Sequence, residues 1–196
     1  MKKIILSASL IFIGLSSFVL KPHNEGDLKI NSELSTIEWI GKKVTGQHNG
    51  TILLKEGKLH VHDGVIESGT IIINMESITC ADLEGEWSDK LVGHLNSADF
   101  FDVKNHKTST LKIKSTTKTK GNEYKVKGDL TIKGITKPIE FPANIEIKDG
   151  KLASFSEIKV DRTLYDIKYG SGKFFEGLGD KMIDDNFIIK FKIAAE

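Results

Sequence analysis

Alternation of apolar and polar residues between positions 124 and 147 is the feature of this sequence that most constrains its fold. In the first half of the segment the apolar side chains fall on even positions, at Tyr124, Val126, Leu130 and Ile132. A period of two predicts a β-strand with one buried and one solvated face, so we expect Leu130 and Ile132 to point inward. Gly134 breaks the pattern before apolar residues resume at Ile139. The segment therefore predicts a two-stranded hairpin that forms one wall of a core.

Further strand-like segments recur along the chain at intervals of about ten residues, with turn signals between them. They lie at 34–44, 46–54, 58–62, 65–75, 110–119, 152–163 and 186–194. Together with the hairpin they give about eight long strands, a number that closes into a small barrel. We therefore predict an all-β fold, an eight-stranded antiparallel β-barrel.

One segment departs from the two-residue period. Between 83 and 95, the residues Leu83, Trp87, Leu91 and Leu95 recur every four residues. This is the spacing of one face of a helix. The barrel is therefore expected to carry one short helical excursion.

Length, charge and cysteine content favour a single domain without a nucleic-acid partner. A chain of 196 residues is sufficient for one domain with a substantial core. The net charge is +1 and Arg162 is the only arginine, whereas nucleic-acid-binding proteins usually carry a basic excess and arginine clusters. Cys80 is the only cysteine, which excludes an internal disulfide and a cysteine-cluster metal site.

The N-terminus has the pattern of a secretory signal peptide. Lys2 and Lys3 precede an apolar run over 4–20, and the small residues Gly14 and Ser16 suit a cleavage site. An uncleaved membrane anchor is the alternative, but the run is short and rich in serine for a spanning helix. Cleavage is therefore the favoured interpretation.

This interpretation divides the chain into three segments. We expect a signal peptide at 1–20, an N-terminal tether at 21–34 and a barrel domain at 35–196. The mature protein would then be periplasmic or secreted, without stable insertion in a membrane.

Four stretches of the mature chain together carry a family resemblance. They are STIEWIGKKVTGQHNGTI at 35–52, HLNSADFFDV at 94–103, GDLTIKGITKPI at 128–139, and 155–172 with its Asp161-Arg162 pair. In this order they resemble the YceI-like family over nearly the whole chain from Ser35. The resemblance implies a lipocalin-like barrel, exported in bacteria, that holds a long apolar ligand such as a polyisoprenoid or a fatty amide in its interior.

Alternation and the family resemblance together nominate residues for such a ligand site. The expected lining residues are Trp39, Phe100, Phe101, Leu130, Ile132, Phe141 and Phe155. Phe174 and Phe175 lie in a glycine-rich loop and are expected to form a lid at the barrel mouth. Arg162, Tyr169 and Lys173 are expected to meet a polar head group, Arg162 above all. The alternative for Arg162 is a structural ion pair with Asp161 or Asp166.

Catalytic and metal-binding patterns are weak in this sequence. No Gly-x-Ser-x-Gly motif is present for an activated serine. His60 and His62 share one face of a strand, but a metal-dependent enzyme would need both to face inward beside a third ligand. We therefore expect no enzymatic activity, no metal and no cofactor.

The function predicted from the sequence is that of an exported carrier or binding protein. Its ligand would be a polyisoprenoid, a fatty acid or a fatty amide held inside the barrel. The alternative is a barrel filled by its own side chains that acts as a structural or stress-related interaction module. A cavity inside the barrel would distinguish the two, and the sequence leaves a homodimer open.

Export can be tested directly at the N-terminus. N-terminal sequencing of the periplasmic or secreted protein is expected to begin between about Ser17 and His23, as the usual length of a signal peptide requires. Recovery of an intact Met1 terminus in the membrane fraction would contradict cleavage.

Overall fold

A computed structural model describes residues 26–196. The predicted signal peptide at 1–20 and residues 21–25 of the predicted tether lie outside the described residues. The strands are β1 (Gly26–Lys43), β2 (Gly46–Thr51), β3 (Leu53–His62), β4 (Val65–Asn74), β5 (Thr108–Lys120), β6 (Glu123–Ile132), β7 (Ile135–Lys148), β8 (Lys151–Asp161) and β9 (Ile183–Ala195). The helices are α1 (Gly85–Asn96) and the short 3₁₀ helices Met75–Ser77, Arg162–Tyr165 and Gly179–Lys181. None of these helices is both long enough and apolar enough to cross a membrane.

The strands form one antiparallel sheet that closes on itself. Consecutive strands from β3 to β9 pair with each other. Strand β1 joins the two ends, because it pairs with β9 on one side and with β2 and β3 on the other. Only Ile52 separates β2 from β3, so these two pieces act as one interrupted strand. The result is a closed barrel of eight strands, which confirms the predicted fold class.

The predicted tether overlaps the first strand, and its boundary is wrong. Residues 26–34 belong to β1, whose first four residues pair with β3. Ile30 is buried, while the nearby Asp27 and Lys29 are exposed. The alternation here includes only Leu28 and Ile30 before polar residues follow. That signal is too short to predict a strand from the sequence.

The predicted hairpin is formed by β6 and β7. Its strands are joined by a two-residue turn at Lys133 and Gly134, which have φ angles of 52° and 74°. Positive φ at both positions gives a turn whose twist matches that of the strands. Leu130 and Ile132 point into the barrel, as predicted.

The connection between β4 and β5, residues 75–107, packs on one end of the barrel and carries α1. The predicted helix is confirmed, although it begins two residues later than expected. Leu95 is buried and Leu91 packs against the core. Trp87 is 71% exposed, with the Lys90 ammonium 5.1 Å from its ring centre. Trp87 therefore does not belong to the packed face that its spacing predicted.

Neighbouring residues of β8 test the two faces of the wall. Ile158 is buried, whereas Lys159 is exposed. Ile158→Asp would bury a carboxyl group without a partner, so we expect a loss of several kcal/mol or more and an unfolded barrel. Lys159→Asp is expected to change the free energy of unfolding by roughly 0.5 kcal/mol or less. Urea denaturation followed by circular dichroism measures both, and equal effects would contradict the assignment of faces.

Candidate functional site

The barrel encloses an apolar cavity of about 180 Å³, called the main cavity below. Strand β9 contributes most regularly to its wall, because Phe187, Ile189, Phe191 and Ile193 all border it. The intervening Lys190 and Lys192 face solvent. Almost the entire surface of the cavity is apolar. A cavity of this kind has room for apolar groups and few partners for water.

The polar residues that border the main cavity lie at one end of the barrel. They are Lys42, Ser109, Arg162, Asp184 and Asn186, and each lies near the strand terminus on the side of α1. We call this side the α1 end. Lys42, Asp184 and Asn186 are exposed as well as bordering the cavity. The main cavity therefore lies close to solvent at the α1 end, beside the paired end of β1 and start of β9.

Trp39 is held against the cavity wall by the β4–β5 connection. Its indole N–H donates to the carbonyl oxygen of Thr79 at 2.9 Å. The same carbonyl passes so close to Gly50 that a Cβ atom there would lie 1.8 Å from it. Glycine at position 50 thus permits the close approach that anchors both the connection and Trp39.

The structure brings together most of the predicted lining residues. Trp39, Phe100, Phe101, Leu130 and Ile132 all border the main cavity. Phe141 borders a second cavity of about 30 Å³ further along the barrel interior. Several lining residues were not predicted, among them Ile71, Ile73, Leu111 and Phe191. The alternation of Phe191 with Lys190 and Lys192 was visible in the sequence and could have placed the apolar residues of β9 in the wall.

The predicted inward orientation of Phe155 is wrong. Its side chain is 58% exposed on the outer face of β8. The inward positions of this strand are the even ones, where Leu152, Ile158 and Val160 are buried. Phe155 occupies an odd position, so the alternation of apolar residues along this strand could have excluded it from the inner face.

The glycine-rich loop does not place its aromatic residues in the cavity wall. Phe174 and Phe175 are 47% and 49% exposed, and their backbone N–H groups donate to the carbonyl oxygen of the buried Ser171. Tyr169 packs edge-on against the ring of His94, with the ring centres 4.5 Å apart. None of these three aromatic residues borders either described cavity. The structure therefore does not bring these residues to the cavity wall, and the predicted lid and the predicted head-group contact of Tyr169 stay predictions.

Arg162 borders the main cavity, as predicted, but its guanidinium is buried and hydrogen-bonded to the backbone. Its side chain is 1% exposed. It donates from Nε to the carbonyl of Asp184 at 3.0 Å, from Nη1 to that of Ile167 at 2.8 Å, and from Nη2 to that of Ile183 at 3.1 Å. These bonds tie the 3₁₀ helix after β8 to the start of β9. The predicted ion-pair partners, Asp161 and Asp166, are replaced by Asp185, whose carboxylate lies 3.7 Å away.

Lys173 also forms ion pairs with carboxylates. Its ammonium lies 2.9 Å from Asp161 and 3.4 Å from Asp185, and it does not border the described cavities. Its pKa is raised, chiefly by the hydrogen bond to Asp161. Burial would raise the pKa of Asp161, but hydrogen bonds from Thr163 and Lys173 outweigh this effect and lower it. The predicted head-group contact of Lys173 stays a prediction, while the structure places its ammonium in this ion-pair cluster.

Burial shifts the pKa of two further groups beside this cluster. It lowers the pKa of Arg162, and the nearby carboxylates, Asp185 first, oppose the shift. Burial raises the pKa of Tyr165 to about 12, with a smaller contribution from Asp161. Arg162 therefore remains charged and Tyr165 neutral at ordinary pH. The cluster holds opposite charges together at the α1 end of the barrel.

The histidines considered as metal ligands lie outside the cavity wall. His60 Nδ1 lies 3.1 Å from the carboxylate of Asp27, and His62 lies 3.7 Å from that of Asp63. Residues 26–196 contain no group of three His, Cys, Asp or Glu side chains arranged to hold a metal ion.

Comparison with known sequences identifies a family signature and distant relatives. The model of the YceI-like domain matches residues 28–195. A UPF0312 protein of Vibrio cholerae is 29% identical over 143 residues, which cover 68% of this chain and 71% of the relative. Another UPF0312 protein from a second strain is 31% identical over 84 residues, covering 43% of this chain and 42% of the relative.

Solved structures share the fold at low sequence identity. BcnA of Burkholderia cenocepacia superposes with a TM-score of 0.63 at 18% identity, covering 85% of this chain and 99% of BcnA. A polyisoprenoid-binding domain of Saccharophagus degradans has the same TM-score of 0.63 at 10% identity, covering 86% and 97%. The YceI protein of Campylobacter jejuni has a TM-score of 0.52 at 19% identity, covering 100% and 99%.

The structural role of Arg162 predicts a large effect on stability. Arg162→Ala would leave three carbonyl groups without their donor and Asp185 without the buried cation 3.7 Å away, so we expect a loss of about 3 kcal/mol or more. Lys173→Ala is the matched control, because it removes an exposed cation from the same cluster and should change stability little. Guanidinium denaturation measures both. Near-wild-type stability of Arg162→Ala would contradict the structural role.

Proposed function

This chain belongs to the YceI-like family, and we propose that it is an exported carrier or binding protein for a long apolar ligand. The ligand class is a polyisoprenoid, a fatty acid or a fatty amide held inside the barrel. One observation carries the proposal, the apolar main cavity of about 180 Å³ inside a closed wall. The proposed export rests on the basic and apolar pattern at the N-terminus.

Burial of a hydrocarbon chain supplies enough free energy for useful affinity. Each CH₂ group removed from water contributes about 0.8 kcal/mol. A chain of about a dozen carbons would gain roughly 10 kcal/mol, and association costs of several kcal/mol leave roughly micromolar affinity. Few polar contacts are then needed, in agreement with the nearly unbroken apolar surface of the cavity.

The volume of the cavity limits how much of the ligand it encloses at rest. An engineered apolar cavity of about 150 Å³ in another protein binds benzene. A longer chain must therefore extend through the mouth or displace side chains of the interior. The ligand would enter with its apolar end first, because the polar residues that border the cavity lie at the α1 end. Its head group would remain there, near the exposed Lys42, Asp184 and Asn186.

Two further considerations favour this proposal over the alternatives. The polyisoprenoid-binding domain of Saccharophagus degradans shares the fold, which makes an isoprenoid one candidate ligand. A barrel filled by its own side chains would leave no cavity of this size. The interaction module is therefore the weaker interpretation. The proposal assigns the protein no catalytic step and no cofactor.

Adjacent residues of β9 provide a matched test of cavity binding. Ile189 borders the main cavity, whereas Ile188 lies on the opposite face of the strand. Ile189→Trp would fill the cavity and is expected to lower affinity for a long-chain fatty acid by about tenfold or more, equivalent to the loss of about two buried CH₂ groups. Ile188→Trp should leave affinity within about twofold, since it removes no contact with the ligand.

The measurement is calorimetric titration of folded, delipidated protein with fatty acids of increasing length. The proposal predicts affinity that rises with chain length. Affinity that is independent of length, or equally affected by both substitutions, would contradict it and favour the interaction module.

A further inference from the structure

The barrel interior is divided into two cavities by side chains. The second cavity, called the distal cavity below, lies on the side away from α1 and is bordered by Val126, Phe141 and Ile145. Four residues border both cavities: Ile71, Leu111, Phe191 and Ile193. We call these four residues the partition.

The partition has two sides on well-separated strands of the barrel. Ile71 of β4 and Leu111 of β5 are direct cross-strand partners. Phe191 and Ile193 are two residues apart on β9, so their side chains share the inner face. Phe191 also packs edge-on against Phe141, a residue of the distal cavity, with ring centres 6.0 Å apart.

A side chain of the partition can be shortened by substitution, or can change rotamer, without breaking the backbone hydrogen bonds between strands. The division between the cavities therefore depends on side-chain size, whereas the barrel wall depends on backbone pairing. Phe191 is the largest member of the partition and is only partly buried. It is thus the residue whose removal would most directly join the two cavities.

We propose that the distal cavity is a subsite for the terminal segment of the apolar ligand, and that Phe191 limits access to it. This inference rests on the proposed function, because it assumes a chain that enters from the α1 end. Such a chain meets the partition after it has filled the main cavity. The partition then sets the chain length beyond which further methylene groups add no affinity.

The test is calorimetric titration of folded, delipidated protein with straight-chain fatty acids from hexanoic to octadecanoic acid. Wild-type affinity should rise by up to about fourfold for each methylene group buried and then reach a plateau. Phe191→Ala should shift the plateau to longer chains by about two methylene groups or more. At those lengths it should bind up to about 15-fold more tightly than wild type, which is two such steps.

Ile145→Ala is the matched control. It enlarges the distal cavity from the far side but leaves the partition in place, so the plateau should not move. The double variant Phe191→Ala/Ala143→Leu refills the distal cavity, which Ala143 borders, and should return the plateau toward the wild-type length. Circular dichroism establishes that each variant is folded. If Phe191→Ala does not fold, Phe191→Leu carries the same comparison with a smaller expected shift.

The outcomes separate this inference from the proposed function. An unchanged plateau in Phe191→Ala, or an equal shift in Ile145→Ala, would overturn the role of the partition while length-dependent binding by wild type would still support the carrier. Wild-type protein that binds neither a fatty acid nor an isoprenoid alcohol of any length would overturn both.

Discussion

Backbone pairing between β1 and β9 is the constraint on which the rest of the structure depends. The ladder runs from Ile30 opposite Ala195 to Lys43 opposite Ile183. It converts a sheet with two free edges into a closed wall, and closure gives every inward side chain an interior to face. Arg162 strengthens the same region, because its guanidinium holds the carbonyls of Ile183 and Asp184. The main cavity exists because the barrel closes while its inward side chains leave part of the interior unfilled.

The two ends of the barrel interior also differ in polarity. Polar residues border the cavity only at the α1 end, among the residues described, while the distal cavity is bordered almost entirely by apolar side chains. A ligand with one polar end would therefore bind in one orientation, since a buried polar group without a partner is costly. The connection between β4 and β5 maintains this asymmetry, because it packs on one end and anchors Trp39 through Thr79.

Local alternation was sufficient to predict most of the strands, the hairpin and the inward positions of Leu130 and Ile132, but not the first part of β1. The register of closure was not predictable, because it is set by pairing between distant segments. Phe155 was assigned to the wrong face for a different reason, because the alternation of Leu152, Ile158 and Val160 along its own strand was not followed. The hydrogen-bond partners of Arg162 were not predictable for a related reason: they are backbone carbonyls up to 22 residues away, and carbonyl positions leave no pattern in a sequence. Phe191 was overlooked because a partition depends on two strands meeting across the interior.

Native mass spectrometry of the protein purified from its own host tests the central claim most directly. An occupied barrel predicts a non-covalent adduct with the mass of a long-chain lipid, released by denaturation and identifiable after extraction. A bare chain that also takes up no fatty acid or isoprenoid when these are supplied in excess would contradict the claim that the cavity is a binding site.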